Sequence, residues 1–251
     1  MMGYIDSLIA ARRAGHVSDH IHLGLFTDPA MTLDQAQEAM AARHIAALDL
    51  TDGLSVVDVG CGFGGSLRMV DNQFLSKLTA VNLDLRQLSL ARETPWRNPV
   101  DWHCCDAAAF SDGREGWADR ILSLEALFHF PDPSGFFEAC ARALRPSGRL
   151  IVSTILLEEG PSAQAVAQGF APWPRPGMTL PDLTAMAEAA GLTVRGIQDL
   201  TPLCLPGFDW MCPPPPPQVT DHPVIELRRL FEAGRATYPM LICQAGGKTQ
   251  K

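Results

Sequence analysis

Short apolar runs bounded by turn residues alternate with segments of helical periodicity along most of the chain. Residues 55–59 (SVVDV), 78–82 (LTAVN), 101–105 (DWHCC), 120–124 (RILSL), 149–155 (RLIVSTI), 192–197 and 238–244 (YPMLICQ) read as strands. Helical spacing covers 34–47, 64–74, 85–92, 133–144, 184–190 and 224–236. Within 133–144, Phe136, Phe137, Cys140 and Leu144 fall on one face. Strands that alternate with helices build βαβ units, hence a parallel sheet covered on both faces. Ligands of such α/β sheets bind at the carboxyl ends of the strands, where strand order reverses. Residues 1–50 read as a helical cap on this core. No internal repeat or second core interrupts the pattern, so one domain over 1–251 is expected.

Composition narrows the function classes. With 47% hydrophobic and 19% charged residues among 251, the chain has the balance of a folded globular protein. Twenty-eight acids against twenty bases leave a net charge of −8 with no long basic run, which disfavours nucleic acid as a partner. No apolar stretch approaches the ~20 residues that span a bilayer. The opening Met1-Met2-Gly3-Tyr4-Ile5-Asp6 has no basic segment followed by an apolar one, so no secretory signal is expected. Seven cysteines, an odd number scattered through apolar surroundings, then read as reduced thiols of a cytoplasmic protein. The twenty prolines concentrate in 161–181 and 202–223, including the run Pro213–Pro217. Such a run favours polyproline II and continues neither a helix nor a central strand. Two insertions, 156–181 and 201–223, are therefore expected either to overhang a ligand pocket as lids or to serve as stiff connectors.

The stretch Val56-Val57-Asp58-Val59-Gly60-Cys61-Gly62-Phe63-Gly64-Gly65 runs from a strand through glycines into a helix. Glycine permits the tight turn and close approach of a ligand to the backbone, and the helix amino terminus offers free N–H groups. Gly60, Gly62 and Gly65 also satisfy the dinucleotide fingerprint, which leaves an NAD(P)-dependent oxidoreductase open. Three features count against it. Asp58 lies within a strand that is usually apolar in dinucleotide-binding proteins, Asp106 ends the third strand, and SLEALFHFPD follows the fourth.

On these residues the sequence resembles the class I S-adenosylmethionine-dependent methyltransferases, in particular the small-molecule branch related to quinone, sterol and natural-product methyltransferases. DVGCGFGG is similar to that family's first motif and CCDAAAF to its adenine-contacting motif. SLEALFHFPDP followed by ARALRPSGRLIVS is similar to its fourth-strand, helix and fifth-strand signature. The resemblance implies a Rossmann-like, doubly wound seven-stranded sheet, mostly parallel with an antiparallel last strand. It implies S-adenosyl-L-methionine as cofactor and a small, largely apolar acceptor as partner, with no nucleic acid and no membrane span; a homodimer is left open. By the same resemblance, Gly60, Cys61 and Gly62 pass under the methionine part, and Asp58 holds the loop or the ammonium. Asp106 accepts from the adenine amino group with Ala107 nearby, and Leu124 supplies backbone close to the methionine moiety. The family's acid at the end of strand two is here Asn82, with Leu83 beside it. Asn accepts from one ribose hydroxyl and donates to the other, and Asp84 stands two residues on as a substitute. A cofactor-binding protein without catalysis is the non-enzymatic reading of the same motifs.

The reacting groups are fewer. His129 follows the fourth strand at the carboxyl edge, where an imidazole takes a proton from a hydroxyl near neutral pH; packing against the cofactor or hydrogen-bonding a backbone carbonyl is its structural alternative. His22, in His20-Ile21-His22-Leu23-Gly24, resembles a segment that roofs the site in some relatives. His20 and His22 alternate along extended chain and so point the same way, but no third ligand is evident and no metal is expected. Cys104 and Cys105 are adjacent on a strand and face opposite sides, which favours packing over a joint ligand role. Phe170, Trp173, Met178, Phe208, Trp210 and Met211, with Phe128 and Phe130, either line an apolar acceptor pocket or pack as core under long loops.

Overall fold

The computed structural model describes residues 3–211 and 222–246. The run Pro213–Pro217 and the side chain of Met211 lie outside the described residues. In chain order the elements are α1 (Tyr4–Arg13), α2 (Leu33–Leu48), β1 (Ser55–Val59), α3 (Gly65–Gln73), β2 (Lys77–Asn82), α4 (Leu85–Arg92), β3 (Val100–Cys104) and β4 (Ala118–Leu124). There follow α5 (Pro133–Ala143), β5 (Leu144–Ser153), β6 (Leu156–Leu157), α6 (Pro161–Gly169), α7 (Leu180–Ala189) and β7 (Leu192–Asp199). The chain then forms α8 (Thr201–Cys204), α9 (Gly207–Met211), α10 (Pro223–Glu232), β8 (Ala236–Thr237) and β9 (Pro239–Ala245).

Seven strands form one sheet in the order β3-β2-β1-β4-β5-β9-β7, and β6 and β8 form a small second one. The first five strands are parallel. β9 runs antiparallel between β5 and β7, as the resemblance implied. Strand order reverses beside β1, whose neighbours are β2 and β4, so the switch point lies where the loops after β1 and β4 meet.

Alternation along the central strands divides the core. Leu122, Leu124 and Ile151 pack toward α2, α6 and α10, while Ile121, Leu150 and Val152 pack toward α5 and α7. Adjacent strand residues face opposite sides, so one sheet serves two cores. Helix starts follow local chemistry. Thr32 caps α2 in a capping box with Gln35, Asp132 caps α5 by accepting from the Gly135 amide at 2.9 Å, and Thr179 caps α7.

The structure alters three expectations. Residues 161–181 are not simply a stiff connector, because Pro161 occupies the first turn of α6, where its missing N–H costs nothing. Helix α7 begins at Leu180 rather than 184, since its cap lies before its apolar periodicity. The amino-terminal cap holds a further helix, α1, ahead of the expected 34–47.

Candidate active site

The loops after β1 and β4 enclose a cavity of about 460 Å³ at the switch point. Every candidate residue lies on its wall: Asp58, Gly60, Cys61, Gly62, Asn82, Leu83, Asp106, Ala107, Leu124, His22 and His129. Gly60 turns the chain at φ +81°, and a Cβ there would lie 2.3 Å from that of Ala126. Only glycine therefore lets the β1 loop pass this close to the β4 loop.

Asp58 is the principal electrostatic feature of this wall. It is 3% exposed, and burial pushes its carboxyl up to about 7. No described donor is hydrogen-bonded to it, so a buried carboxyl on a cavity wall is left for a ligand. An anionic pyrophosphate would meet this group with like charge. The ammonium and sulfonium of S-adenosylmethionine would meet it with opposite charge, so the residues present fit the methyl donor better than a dinucleotide.

At the end of β2, Asn82 spans three partners. Its Oδ1 accepts from the Gly62 amide at 3.4 Å, and its Nδ2 donates to Gln87 Oε1 at 2.9 Å and to the Asp84 carbonyl at 3.3 Å. The Asp84 carboxylate caps α4 and takes the Arg86 guanidinium at 2.6 Å. Arg86 in turn reaches Asp6 of α1 at 2.7 Å. This pairing draws α1 over the mouth, where Gly3, Tyr4, Ile5 and Asp6 line the cavity. On the opposite side, Asp106 accepts from the Ala108 amide at 2.8 Å, and Leu83 is exposed on the rim.

The two histidines differ. His129 lies in a single 3₁₀ turn after β4. Its Nδ1 faces the Pro172 carbonyl, which requires a proton on Nδ1 and leaves Nε2 as an acceptor without a described partner. Burial holds this imidazole below its usual range. Both nitrogens of His22 are committed. Nδ1 donates to the Leu23 carbonyl at 2.8 Å and Nε2 faces His20 Nδ1 at 3.1 Å. Burial pushes His22 down to about 3. No group of three or more His, Cys, Asp or Glu is arranged to hold a metal among the described residues.

A smaller recess of about 60 Å³ adjoins the main cavity and shares Tyr4, Ile21, His22, Glu125 and Phe128 with it. Phe170, Trp173 and Phe208 line it, so these aromatics do face a pocket. Met178 instead packs in the α5–α7 core, and Trp210 is 53% exposed. The described cysteines are free thiols. No helix among the described residues is long and apolar enough to cross a membrane.

Two site residues escaped the sequence reading, Tyr4 and Glu125. Tyr4 sits on a helix that the hydrophobic pattern did not mark, and its ring stacks on His129 at 5.9 Å. Glu125 stands within SLEALFHFPD, where its position directly after a strand was the available signal.

Comparison with known proteins agrees with this geometry. A family model described as a methyltransferase domain matches residues 57–152. Methyltransferase GfsG of Streptomyces halstedii is 29% identical over 78% of this chain and 76% of its own length. The ubiquinone biosynthesis O-methyltransferase of Idiomarina loihiensis is 36% identical over 42% of this chain and 45% of its own. Beyond the first of these, the chain spans about half the length of the curated relatives it matches. Among solved structures, a geranyl diphosphate C-methyltransferase from Streptomyces coelicolor A3(2) superposes with a TM-score of 0.76 at 21% identity, covering 96% of this chain and 98% of that one. Residues 57–152 are thus similar to a methyltransferase domain, and the solved methyltransferase structures share the fold of the whole chain.

Proposed function

We propose that the chain transfers a methyl group to an oxygen of a small, largely apolar acceptor, as a cytoplasmic enzyme of small-molecule biosynthesis built as one catalytic unit. S-adenosylmethionine, when bound, supplies a methyl group already made electrophilic by its sulfonium. The chain's own task is to align a nucleophile behind that methyl and exclude water, and positioning of this kind supplies much of the rate. The observation that carries the reading is the pairing of a lone buried carboxyl, Asp58, beneath the Gly60–Gly62 loop with an aromatic recess beyond Phe128.

In this reading Gly60, Cys61, Gly62 and Leu124 contact the methionine moiety and Asp58 holds its ammonium. Asn82 and Leu83 meet the ribose, and Asp106 and Ala107 meet the adenine. His129 takes the acceptor's proton at Nε2, while His22 shapes the roof rather than moving a proton, since both its nitrogens are engaged. Oxygen is favoured because His129 provides a base, and the ubiquinone-pathway relatives named as O-methyltransferases are consistent with it. The net charge of −8 agrees with a small-molecule acceptor rather than nucleic acid. The test is transfer of a labelled methyl group to simple apolar phenols and hydroquinones. Label in an ether product supports the reading, and label found only on ring carbon overturns the oxygen assignment.

A further inference from the structure

Glu125 takes no part in the reaction as derived above, yet it lines both the main cavity and the inner recess. Its backbone lies in the left-handed region at φ +53°. This conformation is costly for a non-glycine residue and persists where the surroundings over-determine it. The carboxyl accepts the Leu23 amide at 2.8 Å, which binds the roof segment to the end of β4.

A buried chain of hydrogen bonds stands behind this group. His44 Nδ1 donates to the Met40 carbonyl at 2.8 Å, so its Nε2, 2.8 Å from Ser153 Oγ, must accept the serine proton. Ser153 Oγ then accepts from the Tyr238 hydroxyl at 3.3 Å. Tyr238, with its proton committed to Ser153, stands next to Glu125. His44, Ser153 and Tyr238 are each at most 1% exposed, so water does not substitute for these partners. Burial raises the Glu125 carboxyl to about 8. Tyr4 and Cys204 also interact with it, and neither supplies a positive charge.

A carboxyl that accepts once, from Leu23, retains further lone-pair sites. His129 Nε2 takes one O–H from the acceptor in the proposed reaction. We infer that Glu125 is a second anchor for the acceptor, a positioning residue that accepts a hydrogen bond from a second O–H or N–H of the same molecule. The inference rests on the methyl-transfer reading and narrows the acceptor to an apolar molecule with two polar donors, such as a dihydroxy aromatic. The inner recess, at about 60 Å³, then admits only a few heavy atoms of its apolar part.

The experiment compares 2-methyl-1,4-hydroquinone, kept reduced, with 3-methylphenol, which lacks one hydroxyl. Affinity for the full chain saturated with S-adenosylhomocysteine is measured together with methyl transfer. Wild type is expected to prefer the hydroquinone by roughly 10- to 100-fold, the value of one buried hydrogen bond. Glu125→Gln, which still accepts through its amide oxygen, keeps that preference, and Glu125→Leu abolishes it. Affinity for S-adenosylhomocysteine is unchanged in both variants. An intact preference in Glu125→Leu, or none in wild type, overturns the inference. A collapse of kcat in Glu125→Gln overturns it too, because Glu125 would then be the proton acceptor. If neither compound is methylated, the underlying reading fails, while the affinity ratio still decides the anchor.

Discussion

The ring of His129 is tied through Nδ1 to the carbonyl of Pro172, 43 residues away in the chain. This bond selects the tautomer, joins the β4 loop to the segment between α6 and α7, and leaves Nε2 on the cavity wall. Removal of the ring in His129→Ala is expected to lower kcat by about 10²–10⁴-fold on a hydroxyl acceptor, the usual contribution of a positioned base. Affinity for S-adenosylhomocysteine should persist. Because burial lowers this imidazole from its ordinary value, the base stays neutral to lower pH, and the rate should reach its half-maximum below the ordinary imidazole value of about 6.5. Unchanged turnover in the variant contradicts the assignment.

Ligand binding should move a proton off Asp58. Its carboxyl is raised to about 7 by burial, so below that pH the free protein holds it largely protonated. An ammonium placed beside it favours the carboxylate, and the proton leaves to solvent. Titration calorimetry with S-adenosylhomocysteine in buffers of different ionisation enthalpy, near pH 6, should register this release. Asp58→Asn should abolish it and weaken binding roughly 10- to 100-fold.

The strap of α1 over the cavity mouth depends on exposed charges. Arg86 joins Asp6 to Asp84, and pairs of this kind weaken with salt. Arg86→Ala, or added salt in wild type, should accelerate dissociation of S-adenosylhomocysteine in stopped-flow measurements. The variant should lose most of the salt dependence.

Acid should destabilise the ligand-free protein through its buried histidines. His44 is held down to about 4 by burial against an unfolded value near 6.5. The unfolded chain therefore binds more protons between these values, and stability is lost as pH falls through this window. The loss from His44 is on the order of 3 kcal/mol. His22 adds to it in the same direction. Denaturant unfolding of His44→Gln should show a pH slope smaller by about one proton.

The parallel sheet and the glycine loop were legible because continuously buried apolar runs and β1-loop chemistry are local properties. Asp58 and Gly60 declared themselves by residue type and position. Tyr4 and Glu125 did not, since their roles arise from contacts across the fold. Tyr4 belongs to a helix whose only buried side chain is Ile9, too little apolar surface to show as a periodic stripe. Glu125 acquires its character from Leu23, Tyr238, Ser153 and His44 on four separate parts of the chain. The first turn of α6 was obscured by reading proline only as a breaker, although at that position it is compatible with a helix.

The most direct test of the central claim is calorimetry of the full chain against S-adenosylhomocysteine and, separately, NAD. The account predicts saturable one-to-one binding of S-adenosylhomocysteine, weakened by Asp58→Asn, with no binding of NAD. Binding of NAD without S-adenosylhomocysteine would contradict it.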